Sequence, residues 1–402
     1  MKSRKIELFI CISCGVAVVG FILFSNDPKT LVRSLHELNP FWLLGSILCM
    51  VGYWFFETLT LHFILKRFYG DEPFSDSINV TMGGQYFSAI TPFSTGGQPF
   101  QTYYLAKKGR SVGVTASALL TKFLIYQLSL VILSTILLVI KWDFFKTTVP
   151  NFYWLVIIGY IVNLTVLVVM TVIGVFRGIA DWICKTTVKL GAKLRIVKNK
   201  EETLEKAEEG LALFHSTFRG LFKHVPVLLA GMVFSTMQLL CYFSVSYFIY
   251  RSFGLSAVGL ITIIAAQGFV LMVSSFVPIP GSGVGAEASF SLFFASFFTK
   301  EGQLGVAVIL WRLISFYLTI VVGVFFAMNI RKAKKSSKNA AAEAGAEAIN
   351  EEEAEILAEI EAETTELEAE VMAEIEAEER LTAAETAKST EGTDNIENRI
   401  VQ

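Results

Sequence analysis

Phe152-Tyr-Trp-Leu-Val-Ile-Ile-Gly-Tyr-Ile-Val-Asn-Leu-Thr-Val-Leu-Val-Val-Met-Thr-Val-Ile-Gly-Val-Phe176 runs without one charged side chain. About 20 apolar residues in a helix cross the hydrocarbon core of a bilayer, because only a helix satisfies every backbone N–H and C=O within the segment. The stretch is read as a transmembrane helix. Working outward, comparable runs cover 113–140, 41–64 and 6–24 on one side, and 226–250, 256–276 and 304–330 on the other. The whole 402-residue chain is 53% hydrophobic and 17% charged, against about 25% charged in soluble domains. Mean hydropathy is +0.55. A soluble enzyme is excluded, and the expected fold is an all-α polytopic membrane protein with seven to eight transmembrane helices.

The net charge of -2 hides a division. Residues 1–330 carry 26 Lys+Arg against 16 Asp+Glu, and 331–402 carry 8 against 20. Two domains are expected: a basic integral membrane domain over 1–335 and an Ala/Glu-rich acidic tail over 336–402. Ile349, Ile356, Ile360, Leu367, Val371 and Ile375 recur at helical spacing in the tail, so it is read as helical or as solvated and disordered. The run 6–24 follows Lys2, Arg4 and Lys5 but ends in Ser25-Asn-Asp-Pro28 without a small-residue cleavage signal, so it reads as a retained helix. Cys11-x-x-Cys14 lies inside this apolar run, where packing explains it better than metal or redox chemistry.

Orientation follows from the basic residues. With the N-terminus inside, Lys66, Arg67, Lys107, Lys108, Arg110, the 177–224 loop and the segment Arg331 to Lys338 all fall on the cytoplasmic side. This places N-terminus and tail in the cytoplasm, in a multi-pass protein of a bacterial plasma membrane.

Two apolar stretches are broken by Gly and Pro, and they carry the candidate chemistry. The first includes Thr91-Pro-Phe-Ser94-Thr95-Gly96-Gly97-Gln98-Pro-Phe-Gln101. Its halves, about 12 and 9 residues within 79–106, are too short to span, so it reads as a re-entrant hairpin entering from the cytoplasm. Non-helical backbone at membrane depth survives only where protein or a watery cavity satisfies it. Thr91, Ser94, Thr95, Gln98 and Gln101 supply neutral hydrogen-bonding groups, and Gly96-Gly97 permits close approach. Close helix packing through small residues is the competing explanation.

The second reads Pro278-Ile-Pro280-Gly281-Ser-Gly283-Val-Gly285-Ala-Glu287 within 256–298. It is either a hairpin entering from outside or a full helix with a short return. Glu287 is costly in lipid and calls for a partner, the candidates being Arg312 and Lys122. It could instead stabilise the start of the helix beginning near Gly285. Two broken segments of opposite orientation suggest an inverted repeat with a substrate path between them. Glu57, His62, Gln127, Asn163, Gln238 and Gln267 are further polar residues in apolar runs, without partners that spacing can name. No P-loop, HExxH or GxSxG pattern is present, and no cofactor, metal site or direct nucleic-acid binding is expected.

These two motifs, about 180 residues apart, resemble the two signatures of the flippase-like membrane domain of lysylphosphatidylglycerol synthases. The resemblance covers about residues 5–330. The bacterial members of this kind join the membrane domain to a cytosolic aminoacyl-transferase that lysylates phosphatidylglycerol from charged tRNA. The membrane domain is thought to carry the product outward, lowering binding of cationic antimicrobial peptides. The transferase is not recognisable in 336–402, so the resemblance implies a lipid translocase for a phospholipid, anionic or aminoacylated. The alternatives are a phosphatidylglycerol lysyltransferase, acting alone or with a separate synthase subunit, and a non-catalytic scaffold. The substrate-path residues implied are Thr91, Ser94, Thr95, Gly96, Gly97, Gln98, Gln101, Lys122, Pro280, Gly281, Gly283, Gly285, Glu287 and Arg312.

Overall fold

The computed structural model describes residues 35, 37–70, 72–91, 94–182, 185–186, 200–274, 283–300 and 302–327. The first apolar run (6–24), the break at 275–282 with Pro280 and Gly281, and the acidic tail therefore lie outside the described residues. Among those described, every regular element is helical. Five helices are long and apolar enough to cross a membrane: α1 (Pro40–Tyr69), α4 (Val112–Thr148), α5 (Phe152–Val175), α7 (Val225–Ser252) and α10 (Gln303–Ala327). These are five of the seven expected spans. The sixth, read as 256–276, is a 15-residue helix, α8 (Leu260–Ser274).

Local sequence explains the boundaries. Asn39 caps α1, its side chain accepting from the Phe41 N–H at 3.0 Å, and Pro40 occupies the first turn, where its missing N–H costs nothing. Gly70, at φ 66, ends the helix and donates to the Lys66 carbonyl. Helix α4 departs from helical geometry at Lys141, where the apolar run also ends.

Both broken segments are helical hairpins. The first pairs α2 (Phe74–Ile90, 17 residues) with α3 (Gly97–Lys107, 11 residues). The expected halves were shorter because Ser75, Asp76 and Ser77 end the apolar run, yet Pro73 starts the helix before them. The second pairs α8 with α9 (Gly283–Phe294, 12 residues), which selects the hairpin over a full span with a short return. Helix α6 (Lys200–Phe222) lies between α5 and α7 in the chain and packs Phe214 and Phe218 against Leu120 and Leu124 of α4.

The chain thus runs long helix, hairpin, long helix twice: α1 to α4, then α7 to α10. The two sets are antiparallel. The Asn39 N–H donates to the Ser252 carbonyl at 2.8 Å at one end of the α1–α7 pair, and Arg67 meets His224 at 2.6 Å at the other. The α2–α3 hairpin has both feet at the Arg67 end, where Arg110 pairs with Glu72 at 2.7 Å. The α8–α9 hairpin opens at the opposite end, where Lys300 reaches Glu37 at 2.8 Å. The expected inversion of the two broken segments is therefore a property of the fold. α1 and α7 form the most extensive helix interface, with Gly45 receiving the Phe248 ring and Gly52 facing the Cys241 sulfur. Lipid offers helices no hydrophobic gain on association, so close approach at such small residues supplies the attraction.

Candidate functional site

The α2–α3 hairpin is closed by small residues. A Cβ on Gly97 would collide with the Ser88 hydroxyl and stand 2.7 Å from the Gly84 carbonyl oxygen. Gly84 itself faces the Gln101 side chain, and Gly83 faces the Phe100 ring, which stacks on Phe87 at 4.4 Å. We expect Gly97→Val to force the hairpin apart and destabilise the protein by about 3 kcal/mol, seen as a lower melting temperature in detergent.

At the hairpin tip the Thr91 hydroxyl donates to the Phe87 carbonyl at 2.7 Å and accepts from the Gly96 N–H at 2.9 Å. Ser94 takes a left-handed conformation at φ 57. Gln101 is buried and its amide donates to the Val80 carbonyl at 3.3 Å. Thr91, Gly96, Gly97 and Gln101 are thus committed to hairpin geometry. Ser94, Thr95 and Gln98 are exposed at the tip and the start of α3.

At the hairpin's feet, Glu72 is buried, pairs with Arg110 and faces Asp76 and Lys108. Arg110 lies over the Tyr69 ring at 4.5 Å. Burial pushes the Glu72 carboxyl above its ordinary value, with Arg110 opposing. The folded state therefore holds this proton more tightly than the unfolded chain. Its contribution to stability is present below the ordinary carboxyl value of 4.5 and is lost as pH rises through the raised one. Thermal unfolding followed across that window should show stability falling with pH in the wild type, and Glu72→Gln should remove this contribution.

Deeper in the bundle, two ion pairs stand at the positions of the candidate charges. Arg312 of α10 meets Glu287 of α9 at 3.3 Å, both side chains being about nine-tenths shielded, at 7% and 12% exposure. Aromatic packing sets this meeting. Phe290, one turn after Glu287, stacks on Trp311 at 4.9 Å and on Phe294 at 4.1 Å, which holds α9 in register with α10. A π-helical turn, Leu313–Tyr317, follows Arg312 directly; such turns are frequent at functional sites. Glu287 lies beyond the first turn of α9, so pairing rather than helix-start stabilisation accounts for it.

Lys122 goes elsewhere. Its ammonium donates to Glu57 of α1 at 2.7 Å, and the Gln85 amide of α2 donates to the other Glu57 oxygen at 2.5 Å and to the Tyr53 hydroxyl at 3.3 Å. Gln85 and the neighbouring tyrosines were not singled out from the sequence, and Glu57 was noted only as a polar residue in an apolar run, without a partner. The one available signal was a carboxylate in the middle of an apolar helix.

Three tyrosines bridge the two pairs. Tyr53 lies beside Glu57, Tyr126, Tyr242 and Gln238, with its ring 5.5 Å from that of Tyr242. Tyr242 in turn faces Arg312 and Ser315. Each tyrosine is half-buried. A polar band therefore runs from Lys122 through Glu57, Tyr53 and Tyr242 to Arg312 and Glu287, contributed by both repeats. The other flagged polar residues pack helices together: Gln127 donates to Asn163, Asn163 to the Met272 carbonyl, and Ser246 to Gln267. His62 joins α1 to α2 through Ser77. Among the described residues no three His, Cys, Asp or Glu side chains gather as a metal would require.

The model of the lysylphosphatidylglycerol synthase TM region matches residues 9–323. The chain belongs to that family. A UPF0104 membrane protein of Archaeoglobus fulgidus is 24% identical over 335 residues, covering 78% of this chain and 94% of the relative. An uncharacterized protein MG306 homolog of Mycoplasma pneumoniae is 22% identical over 354 residues, covering 80% and 85%. Membership of the lysylphosphatidylglycerol synthase TM region family points to a multi-pass membrane protein of lipid metabolism. Both hairpins and both ion pairs fall inside the matched residues.

Proposed function

We propose that the protein moves a phospholipid between leaflets, the headgroup travelling along the polar band while the acyl chains stay in the bilayer. The observation that carries this reading is the pair of shielded charge couples, Glu287–Arg312 and Glu57–Lys122, joined by tyrosines inside the bundle. Ionisable groups at membrane depth are expensive, and they characteristically mark substrate pathways. Inverted hairpins are a transporter arrangement for such a pathway. Lys122 and Arg312 attract the phosphate, Glu287 receives a cationic group, and Thr95 and Gln98 at the tip of α3 offer hydrogen bonds on entry. In this reading the Arg67 end faces the cytoplasm of a bacterial-type plasma membrane, which its basic residues Lys66, Lys107, Lys108 and Arg110 support. Residues 1–335 form the translocating unit and 336–402 an acidic cytoplasmic tail.

Photo-cross-linking tests the path. With Tyr242 replaced by p-benzoylphenylalanine, irradiation in membranes should yield a covalent phospholipid adduct, found by mass spectrometry. An adduct at exposed Ile161 but none at position 242 would refute the path. The family also supports a second reading, a membrane subunit for phosphatidylglycerol lysyl transfer. Lysylated phosphatidylglycerol appearing in a host without its own synthase would favour it.

A further inference from the structure

The central α1–α7 pair ends, opposite Arg67, in a cluster of rings around one cation. Gly45 has no side chain, so the Phe248 ring seats directly on α1, one turn after Trp42. Phe248 and Tyr247 then meet the Trp42 ring at 5.8 and 6.5 Å. Arg251, one turn beyond Tyr247, is carried over this surface. Its guanidinium lies 4.7 Å from the Trp42 ring and 5.9 Å from that of Tyr247. Stacking on aromatic faces attracts a guanidinium and holds its planar fork ready for a ligand.

The other described arginines all have an acceptor. Arg110, Arg177 and Arg312 pair with Glu72, Asp181 and Glu287, Arg219 donates to the Val175 carbonyl, and Arg67 meets His224. Arg251 makes one long hydrogen bond, to the Tyr247 hydroxyl at 3.4 Å. Among the described residues it has no acid partner. Glu37, the acid before α1, pairs with Lys300, and the first turn of α1 contains no acid. The C-terminal end of α7 favours a cation. The N-terminal end of α1 lies beside it, the Asn39 N–H reaching the Ser252 carbonyl, and favours an anion. The opposed helix ends offset one another, and the guanidinium charge is left over.

Helices α1 and α7 have 30 and 28 residues. At 1.5 Å a residue they cover about 42–45 Å, the thickness of a bilayer with its headgroups. Trp42 and Arg251, near their ends, therefore stand at the level of lipid phosphates, where aromatic residues collect.

We propose that Trp42, Tyr247 and Arg251 form a resident site for the phosphate of an anionic phospholipid, apart from the polar band. A guanidinium presents parallel N–H groups that match two phosphate oxygens. The half-buried position of Arg251 leaves its remaining N–H groups open to the headgroup layer. Unbalanced charge separates this site from the path. Lys122 and Arg312 each have a carboxylate to return to when a ligand leaves. Arg251 has none among the described residues, so release leaves it uncompensated and the lipid stays. The single excess charge also selects the headgroup. Phosphatidylglycerol neutralises it, whereas phosphatidylcholine brings its own ammonium to a place with no acid to receive it.

Native mass spectrometry of full-length protein in detergent counts what is held. Titrated with phosphatidylglycerol, wild type should retain one more lipid than Arg251→Gln. Arg251→Lys should hold that lipid about tenfold more weakly than wild type, because lysine keeps the charge and loses the fork and the stacking. Phosphatidylcholine should be retained equally by wild type and Arg251→Gln. Glycerol phosphate, the same chemistry without acyl chains, should give no adduct that depends on Arg251. Arg251→Gln strands no partner charge, and equal melting of the lipid-free chains confirms that it folds. Equal phosphatidylglycerol retention by wild type and Arg251→Gln would overturn the site. Equal loss of phosphatidylcholine would overturn its anionic preference, and an Arg251-dependent glycerol phosphate adduct its lipid source. Retention is read without movement, so a protein that holds this lipid yet moves none refutes translocation and leaves the site standing.

Discussion

Arg312→Ala is expected to cost the protein about 3–5 kcal/mol of stability and to reduce lipid movement at least about tenfold. The cause is the charge left behind more than the contact removed. Glu287 would keep its place on α9, because Phe290 still stacks on Trp311, and would lose the guanidinium that faces it. Breaking a shielded pair from one side is costly because the survivor is neither hydrated nor compensated. Glu287→Gln in the same background should restore much of the stability by removing that charge, while movement stays low. Melting in detergent separates the two effects. If Arg312→Ala melts normally and moves lipid at the wild-type rate, Arg312 has neither role.

The second large effect is expected at the other couple. Lys122→Met strands Glu57, which among the described residues keeps the Gln85 amide alone, and should again cost about 3–5 kcal/mol. Exchanging the charges, with Glu57→Lys and Lys122→Glu together, recreates an ion pair across the same α1–α4 contact. The Gln85 amide can turn its oxygen toward the new ammonium. Stability should therefore return in large part. Lipid movement should not, since the cation now sits on the central helix pair and no longer on the long helix after the hairpin, as Arg312 does in the other repeat. Recovery of both stability and movement would show the couple to be structural cement alone.

How much of this was readable beforehand depended on range. The long spans were legible because bilayer thickness imposes a length that apolar runs display directly, and the end of one run at Lys141 coincides with the kink in α4. The hairpins were legible through Pro and Gly, although α2 extends back to Phe74 because Pro73 defines its start where hydrophobicity does not. Arg312 was named as a partner for Glu287 because charges are rare in apolar helices and few candidates existed. The same reasoning could not assign Lys122. Its partner Glu57 lies 65 residues away on a helix whose facing direction no local pattern reveals. The tyrosines were invisible for a related reason: Tyr in a membrane helix is common, and only packing shows that Tyr53, Tyr126 and Tyr242 converge. Conversely, Gly96, Gly97, Thr91 and Gln101 drew notice as a cluster, yet the hairpin uses them to close on itself.

The measurement that bears most directly on the central claim is lipid accessibility in reconstituted liposomes. Full-length protein is incorporated with fluorescent phospholipids of neutral, anionic and lysyl-modified headgroups, and a membrane-impermeant quencher is added outside. Quenching beyond the outer leaflet's share, diminished by Glu287→Gln and by Arg312→Ala in correctly folded protein, is the predicted result. Quenching no greater than in protein-free liposomes for every headgroup would contradict the account.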